Sequence, residues 1–444
     1  MRTTLAALIC AASLAAQNPL SLRQAVQTAL RGHPAVEAEQ SALAAAEARI
    51  RTARSGYLPK LDYAESFQRT NHPVYVFGAL LTQAQFSERN FALSALNRPD
   101  FLNNFQSRLS LDQVIYDGGQ TRLAVRAAEL GRDLAGESRR RSEQDVIAGV
   151  VRAYFGAALA AESLKVAEEA VRSAEADLER ARAVRAAGLA TDADVLSLQV
   201  HLAAMREQAI RRQADLEVAR AALNEALGLP LETAHRLVTP LTPAGFEQLP
   251  LPEYEKTSLA QRPEARQAAL AVQLAARRSD AARAAFRPQL VFHSAFETDR
   301  QRPLTRGAAN WLAALSLRWN LFNGLADRQR LREAESELRR AEAERRRAEA
   351  LVRLGVRKAY ADWQAAAQRI EVARAAVAMA EESLRIIKNR YEAGLTTVTE
   401  LLRGETALLE ARTRHLAAIS DQRLAALELA RAAGVLGPDS QVLN

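Results

Sequence analysis

Two stretches decide how this chain is read: "RAAGLATDADVL", Arg185–Leu196, and "YEAGLTTVTELL", Tyr391–Leu402. Each carries Gly-Leu-x-Thr, and an acid follows the threonine by three residues. Gly188 and Gly394 lie 206 residues apart. A glycine at C′ ends a helix in left-handed geometry without a side-chain penalty. A Thr followed three residues later by Asp or Glu opens the next helix as a capping box. The stretches therefore predict two tight helix-turn-helix tips, with Thr191 and Thr397 as caps and Asp194 and Glu400 at N3.

Working outward from the tips, the same offset of 206 holds without a gap. It pairs Tyr116-Asp117-Gly118 with Phe322-Asn323-Gly324, Tyr154 with Tyr360, and Gly228 with Gly434. Farther upstream the offset is 229: His33-Pro34 pairs with Arg262-Pro263, and Leu58-Pro59 with Arg287-Pro288. The chain is two copies of one unit, a pattern to be sought before local structure. The first copy carries 23 extra residues between Pro59 and Tyr116. The expected organisation is 1–15 signal peptide, 16–229 first repeat, 230–257 Pro-rich connector, 258–437 second repeat and 438–444 tail.

Each copy has the same order. A helix comes first, about Leu22–Ser55 (capped by Ser21 with Gln24) and about Ser258–Ala285. Then the period changes to two. "WLAALSLRWNLF" places Trp311, Leu315, Leu317, Trp319 and Leu321 at odd positions, which marks a strand with one apolar face. Leu290, Phe292 and Phe296 alternate likewise, and so do Leu61, Tyr63 and Phe67, then Leu109, Leu111 and Ile115. Each copy thus contributes one β-hairpin. A long helix follows, about Gln120–Ala187 and Ala326–Ala393. Val356, Trp363, Ile370, Val377, Leu384 and Tyr391 recur every seven residues, with Ala at most positions three later. That is a closely packed coiled-coil seam. About 68 residues make roughly 100 Å of helix.

Composition narrows the function classes. The 444 residues carry a net charge of +8 from 60 basic and 52 acidic side chains. The two signs are interleaved, as in "AEAERRRAEA", which describes a solvated helical face rather than a nucleic-acid footprint. The first residues, with Arg2, an apolar Leu5–Ala12 and Ser13-Leu14-Ala15, resemble a secretory signal. Cys10 is the only cysteine and falls within that signal, so the mature chain is expected to have no disulfide. No later segment has 18 uninterrupted apolar residues, so no transmembrane helix is expected. The six histidines show no metal-ligand spacing. No phosphate loop or nucleophile elbow is present. The chain reads as a non-enzyme without metal or cofactor.

Four strands cannot close a barrel, and open sheet edges are not tolerated in lipid. Other copies of the chain must complete them. Two copies give eight strands around a filled interior, and three give twelve with room for a pore. The two-copy order, the turns "IYDGG" and "LFNG", and above all "RYEAGLTTVTEL" resemble the TolC family of outer-membrane efflux proteins over almost the whole mature chain. The resemblance implies a mainly α fold with a small transmembrane β part: a homotrimer with a twelve-stranded barrel in outer-membrane lipid and a helical barrel in the periplasm. It implies a passive export channel for drug, metal or protein, serving a periplasmic adaptor and an inner-membrane pump. A periplasmic coiled coil without channel activity is the alternative. Gate residues carried over are Tyr391, Asp194 and Glu400. Arg403 stands where the best-known member has a second aspartate, and Thr396 where it has an arginine, so one gate link is missing. The turns Gly188-Leu189 and Gly394-Leu395 are expected to dock the adaptor. Capping alone accounts equally well for Asp194 and Glu400, and seam packing for Tyr391.

Overall fold

The computed structural model describes residues 18–188, 191–245, 249–305 and 307–443; the signal-peptide expectation lies outside them. In order the elements are β1 (Asn18–Leu20), α1 (Leu22–Gly32), α2 (Pro34–Arg54), β2 (Lys60–Thr70), α3 (Pro73–Thr82), α4 (Leu93–Asn97), β3 (Leu102–Tyr116), α5 (Gln120–Ala186), α6 (Asp192–Leu227), β4 (His235–Leu237), α7 (Leu251–Gln261), α8 (Pro263–Ala284), β5 (Gln289–Arg300), β6 (Ala308–Arg318), α9 (Ala326–Glu392) and α10 (Val398–Ala432). Helices α5 and α9 are 67 residues each and begin and end at equivalent places in the two copies. The aligned glycine pairs share left-handed backbone: Gly118 and Gly324 at φ 70° and 68°, Gly188 and Gly394 at 79° and 70°, Gly228 and Gly434 at 71° and 77°.

Two expectations need correction. The helix read over Leu22–Ser55 is broken at His33, and its partner at Arg262, because each residue precedes a proline and is held extended, with ψ 127° and 129°. The stretch 230–257, expected as a connector, holds β4 and the start of α7. Strand β4 pairs in parallel with β1, Asn18 opposite His235 and Leu20 opposite Leu237. The insertion contains α3 and α4.

Two compact units divide the described residues. One comprises 18–41, 136–267 and 346–443. Its core gathers Leu22, Val26, Ile147, Val150, Val151, Tyr154, Phe155, Leu227 and Leu427. Tyr154 is fully buried; its hydroxyl donates to the Leu20 carbonyl at 2.9 Å and accepts from the Thr239 N–H at 2.9 Å. A window of α5 reaches a mean hydropathy of 1.3, apolar enough to cross a membrane by composition, but half of it is buried in this chain. The seam is as expected: Val356, Ala359, Ala366, Ile370 and Leu384 on α9 are buried, as are Val150, Ala157, Ala167, Ala174, Leu178 and Ala181 on α5.

The other unit comprises 42–135 and 268–345 and holds a four-stranded antiparallel sheet, β2-β3-β5-β6, with β2 and β6 as its edges. Cross-strand register fixes its faces. Tyr63, Leu109, Phe296 and Trp311 stand opposite one another in one row. Leu61, Phe67, Phe105, Phe292, Leu315 and Leu317 share that face by the two-residue alternation. Trp311 is 78% exposed, and Leu61, Tyr63, Leu315 and Leu317 are exposed with it. The opposite face carries Lys60, Asp112 and His293 in one row and Gln106 and Asp299 in another. A sheet apolar toward one side and polar toward the other is the pattern of a membrane barrel wall.

Candidate gate and docking tips

At the first tip, α5 closes with the Gly188 N–H donating to the Arg185 carbonyl at 2.8 Å. Leu189 and Ala190 lie outside the described residues, so the docking expectation for Leu189 has no structural counterpart. Thr191 then caps α6: its hydroxyl accepts from the Asp194 N–H at 3.2 Å, and Asp194 Oδ2 accepts from the Thr191 N–H at 3.1 Å. Arg185 pairs with Asp192 across the turn at 2.5 Å.

The second tip has the same backbone and different side-chain bonding. The Leu395 N–H reaches back to the Arg390 carbonyl at 2.8 Å, and Gly394 donates to the Tyr391 carbonyl at 3.0 Å. This is a Schellman closure. Leu395 is 68% exposed, so it is no hidden helix-end contact. Thr397 caps α10 by accepting from the Glu400 N–H at 3.4 Å. The expected reciprocal bond is missing, because Glu400 Oε1 instead accepts from Arg403 at 2.8 Å. The charge reversal at Arg403 has a local consequence: it neutralises Glu400.

Tyr391 is half-buried and packs on an apolar cluster of Ala174, Leu178, Ala181, Val195, Leu198, Leu202 and Val398. Burial raises its pKa above the usual phenol value, and the carboxylates of Asp194 and Asp177 add to the rise. Within one chain, among the described residues, the Tyr391 hydroxyl makes no hydrogen bond to Asp194, whose carboxylate is engaged in its own cap. Of the four expected gate residues, the fold therefore joins Glu400 to Arg403 and sets Asp194 near Tyr391 electrostatically. It does not assemble all four.

A set of charged residues that sequence reasoning missed does assemble. Asp177 on α5 is 3% exposed. Lys388 on α9 donates to Asp177 Oδ2 at 3.0 Å and to Ser173 Oγ at 2.9 Å, and stands 3.2 Å from Glu405 Oε1 on α10. Ser173 donates to Glu405 Oε1 at 2.9 Å. His201 Nε2, on α6, lies 3.1 Å from Glu405 Oε2. Four helices thus meet on one half-buried cation and two buried carboxylates. Burial, and then the neighbouring Glu405, push Asp177 up to about 6, with Lys388 opposing. Burial also works to raise Glu405, but His201, Asp177, Lys388 and Ser173 outweigh it and bring the group down to about 2. A cavity of about 210 Å³ lies beside Ser173, His201, Glu405 and Leu384. Arg180 continues the link, bonding Glu392 on α9 at 2.8 Å. No group of three or more metal-ligating side chains occurs among the described residues.

Comparison with known proteins follows this geometry. Residues 25–229 and 256–435 match the family model described as outer membrane efflux protein. Protein CyaE of Bordetella pertussis is 31% identical over 95% of this chain and 85% of its own length. The proteases secretion protein PrtF of Dickeya chrysanthemi is 24% identical over 94% of this chain and 88% of its own. In fold, the chain resembles the crystal structure of a membrane protein from Pseudomonas aeruginosa, with a TM-score of 0.79 at 22% identity, covering 94% of this chain and 91% of that one.

Proposed function

The chain belongs to the outer membrane efflux protein family, and from that premise we propose that three copies close one twelve-stranded barrel and one helical tunnel. It is an outer-membrane channel of the efflux and type I secretion class. The observation that carries the trimer is the four-stranded sheet with two free edges and an exposed apolar face. Each unpaired backbone group in hydrocarbon costs several kcal/mol, so β2 must pair with β6 of another copy. Twelve strands leave a pore, whereas eight fill their own interior.

Within the class we propose protein cargo delivered by a type I system. PrtF, 24% identical over 94% of this chain, is named for protease secretion. A metal-export reading lacks thioether ligands, since past Met1 only Met205 and Met379 remain. Residues 1–15 act in this reading as a cleaved export signal. The tips at Gly188-Leu189 and Gly394-Leu395 dock a periplasmic adaptor that an inner-membrane pump feeds. Tyr391, Asp194, Glu400 and Arg403 line the closed entrance, with Lys388, Asp177 and Glu405 bracing it from within each chain.

The test is direct. Purified protein should run as a trimer in native mass spectrometry and conduct in a planar bilayer. Leu395→Asp should abolish cross-linking to the adaptor while conductance stays. A non-conducting monomer overturns the reading.

A further inference from the structure

The insertion between β2 and β3 is absent from the second copy. Its first helix, α3, reads Pro73-Val-Tyr-Val-Phe-Gly-Ala-Leu-Leu-Thr82 and contains no charge. Outside a barrel such a helix stands in water with its apolar side chains uncovered. Hydrogen bonding places it elsewhere. Gln83, at the C-terminal cap of α3, donates from Nε2 to the Asn103 carbonyl at 3.0 Å and to Asn104 Oδ1 at 2.8 Å. Asn310 Nδ2 donates to the Thr82 carbonyl at 3.1 Å. Asn104 in turn donates to Asp299 Oδ1 at 2.7 Å. Asn104, Asp299 and Asn310 all belong to the polar face, opposite the row of Tyr63 and Trp311. Asp299 is 1% exposed there, and Val76 is buried on α3. The polar face of a membrane barrel is its inside. The insertion therefore folds back into the lumen instead of standing above it.

We propose that α3 is an outer plug: the three α3 helices of a trimer meet across the barrel lumen and narrow its extracellular mouth. The occupant of each exposed α3 face is α3 of the other two copies. Val74, Gly78 and Leu81 recur at i, i+4 and i+7 and so share one stripe. Val74 and Leu81 are exposed in the single chain, and a side chain at Gly78 would meet nothing within 4 Å. Twelve strands enclose roughly 25 Å between opposite backbones. The wall's own luminal side chains occupy several ångströms on each side, so three helices, each about 10 Å wide, cannot share what remains without touching. An apolar stripe facing a water-filled lumen loses its exposure by meeting its copies. The plug rests on the trimeric reading given above.

Oxidation of Leu81→Cys in outer membranes should give disulfide-linked chain pairs, while Leu315→Cys, on the lipid face, should give none. Asp62→Cys lies on the luminal face about six residues, roughly 20 Å, inward from Gln68, which pairs with Asn104. Its labelling from outside intact cells by a polymer-linked maleimide should rise on the order of tenfold when Val74→Asp and Leu81→Asp are added, because carboxylates do not pack against each other in that stripe. Intact trimers that form no Leu81→Cys pair, and that label equally with and without the aspartates, overturn the plug. Loss of the trimer on a native gel in the unmodified chain strikes the trimeric reading instead.

Discussion

The two copies share a backbone but not an interior. Helices α5 and α9 match residue for residue in length, and three glycine pairs share their left-handed angles. Yet the buried charge cluster is drawn from positions where the copies diverge. Ser173, Asp177 and His201 correspond to Met379, Ser383 and Ala407 in the second copy, and Lys388 and Glu405 to Arg182 and Gln199 in the first. In the trimer proposed above, built from six similar helical hairpins, the seam between the two hairpins of one chain holds a half-buried cation between two buried carboxylates. The equivalent seam between neighbouring chains holds one arginine and no carboxylate at these positions. On the trimeric reading proposed above, a closed ring with three braced and three unbraced seams is expected to open at the unbraced ones. The difference teaches that, on this reading, gating is to be sought at the repeat's exceptions rather than in the repeat.

The largest expected effect breaks the brace. Lys388→Met leaves Asp177 and Glu405 buried together without their cation. Removing one partner of a buried pair costs about 3–5 kcal/mol. Arg182→Met, at the equivalent place in copy one, loses only an exposed pair with Glu179, worth at most about 1 kcal/mol. Denaturant unfolding of the two variants in detergent should separate them by several-fold in free energy. Equal losses would mean the cluster braces nothing.

The second effect is in pH. Asp177 is pushed up to about 6 from the usual 3.8, so the folded chain holds a proton there that the unfolded chain lacks. Its contribution to stability therefore grows as pH falls from about 6 toward about 4, and is lost as pH rises through 6. Glu405, brought down to about 2 from 4.5, contributes fully above 4.5 and loses that progressively as pH falls from 4.5 through about 2. Between pH 4.5 and 6 Asp177 is thus the member of this pair that titrates. Asp177→Asn should flatten the rise of the thermal midpoint across that window. An unchanged slope would assign the proton to another group.

These residues also show what one sequence can carry. Helix lengths, tips and strand faces repeat locally, at periods of seven and two, and each was legible. The breaks at His33 and Arg262 were legible too, since a proline follows each; the helical pattern simply overrode the proline rule. The cluster was not legible. Asp177, His201, Lys388 and Glu405 sit on four helices, and only packing brings them together. Nor could the alternation of β3 say which face α3 would cover, because that depends on the side-chain bonds of Gln83 and Asn310.

A smaller comparison concerns the caps. Thr191 takes part in a complete box with Asp194, while Thr397 holds only the longer bond to the Glu400 N–H. Thr191→Ala should cost about 1 kcal/mol, and Thr397→Ala less. Hydrogen exchange at the first turns of α6 and α10 measures both, and an equal loss would remove the asymmetry.

The central claim is that the seams within chains are tighter than the seams between them. Spin labels at Arg180 and Glu392 report the seam inside one chain, where the two side chains bond at 2.8 Å. Labels at the equivalent places, Ala186 and Ile386, report the seam between neighbouring chains. Pulsed dipolar distance measurement on the trimer should give a narrow distribution for the first pair and a broad or two-peaked one for the second. A between-chain distribution as narrow as the within-chain one, or narrower, would contradict the account.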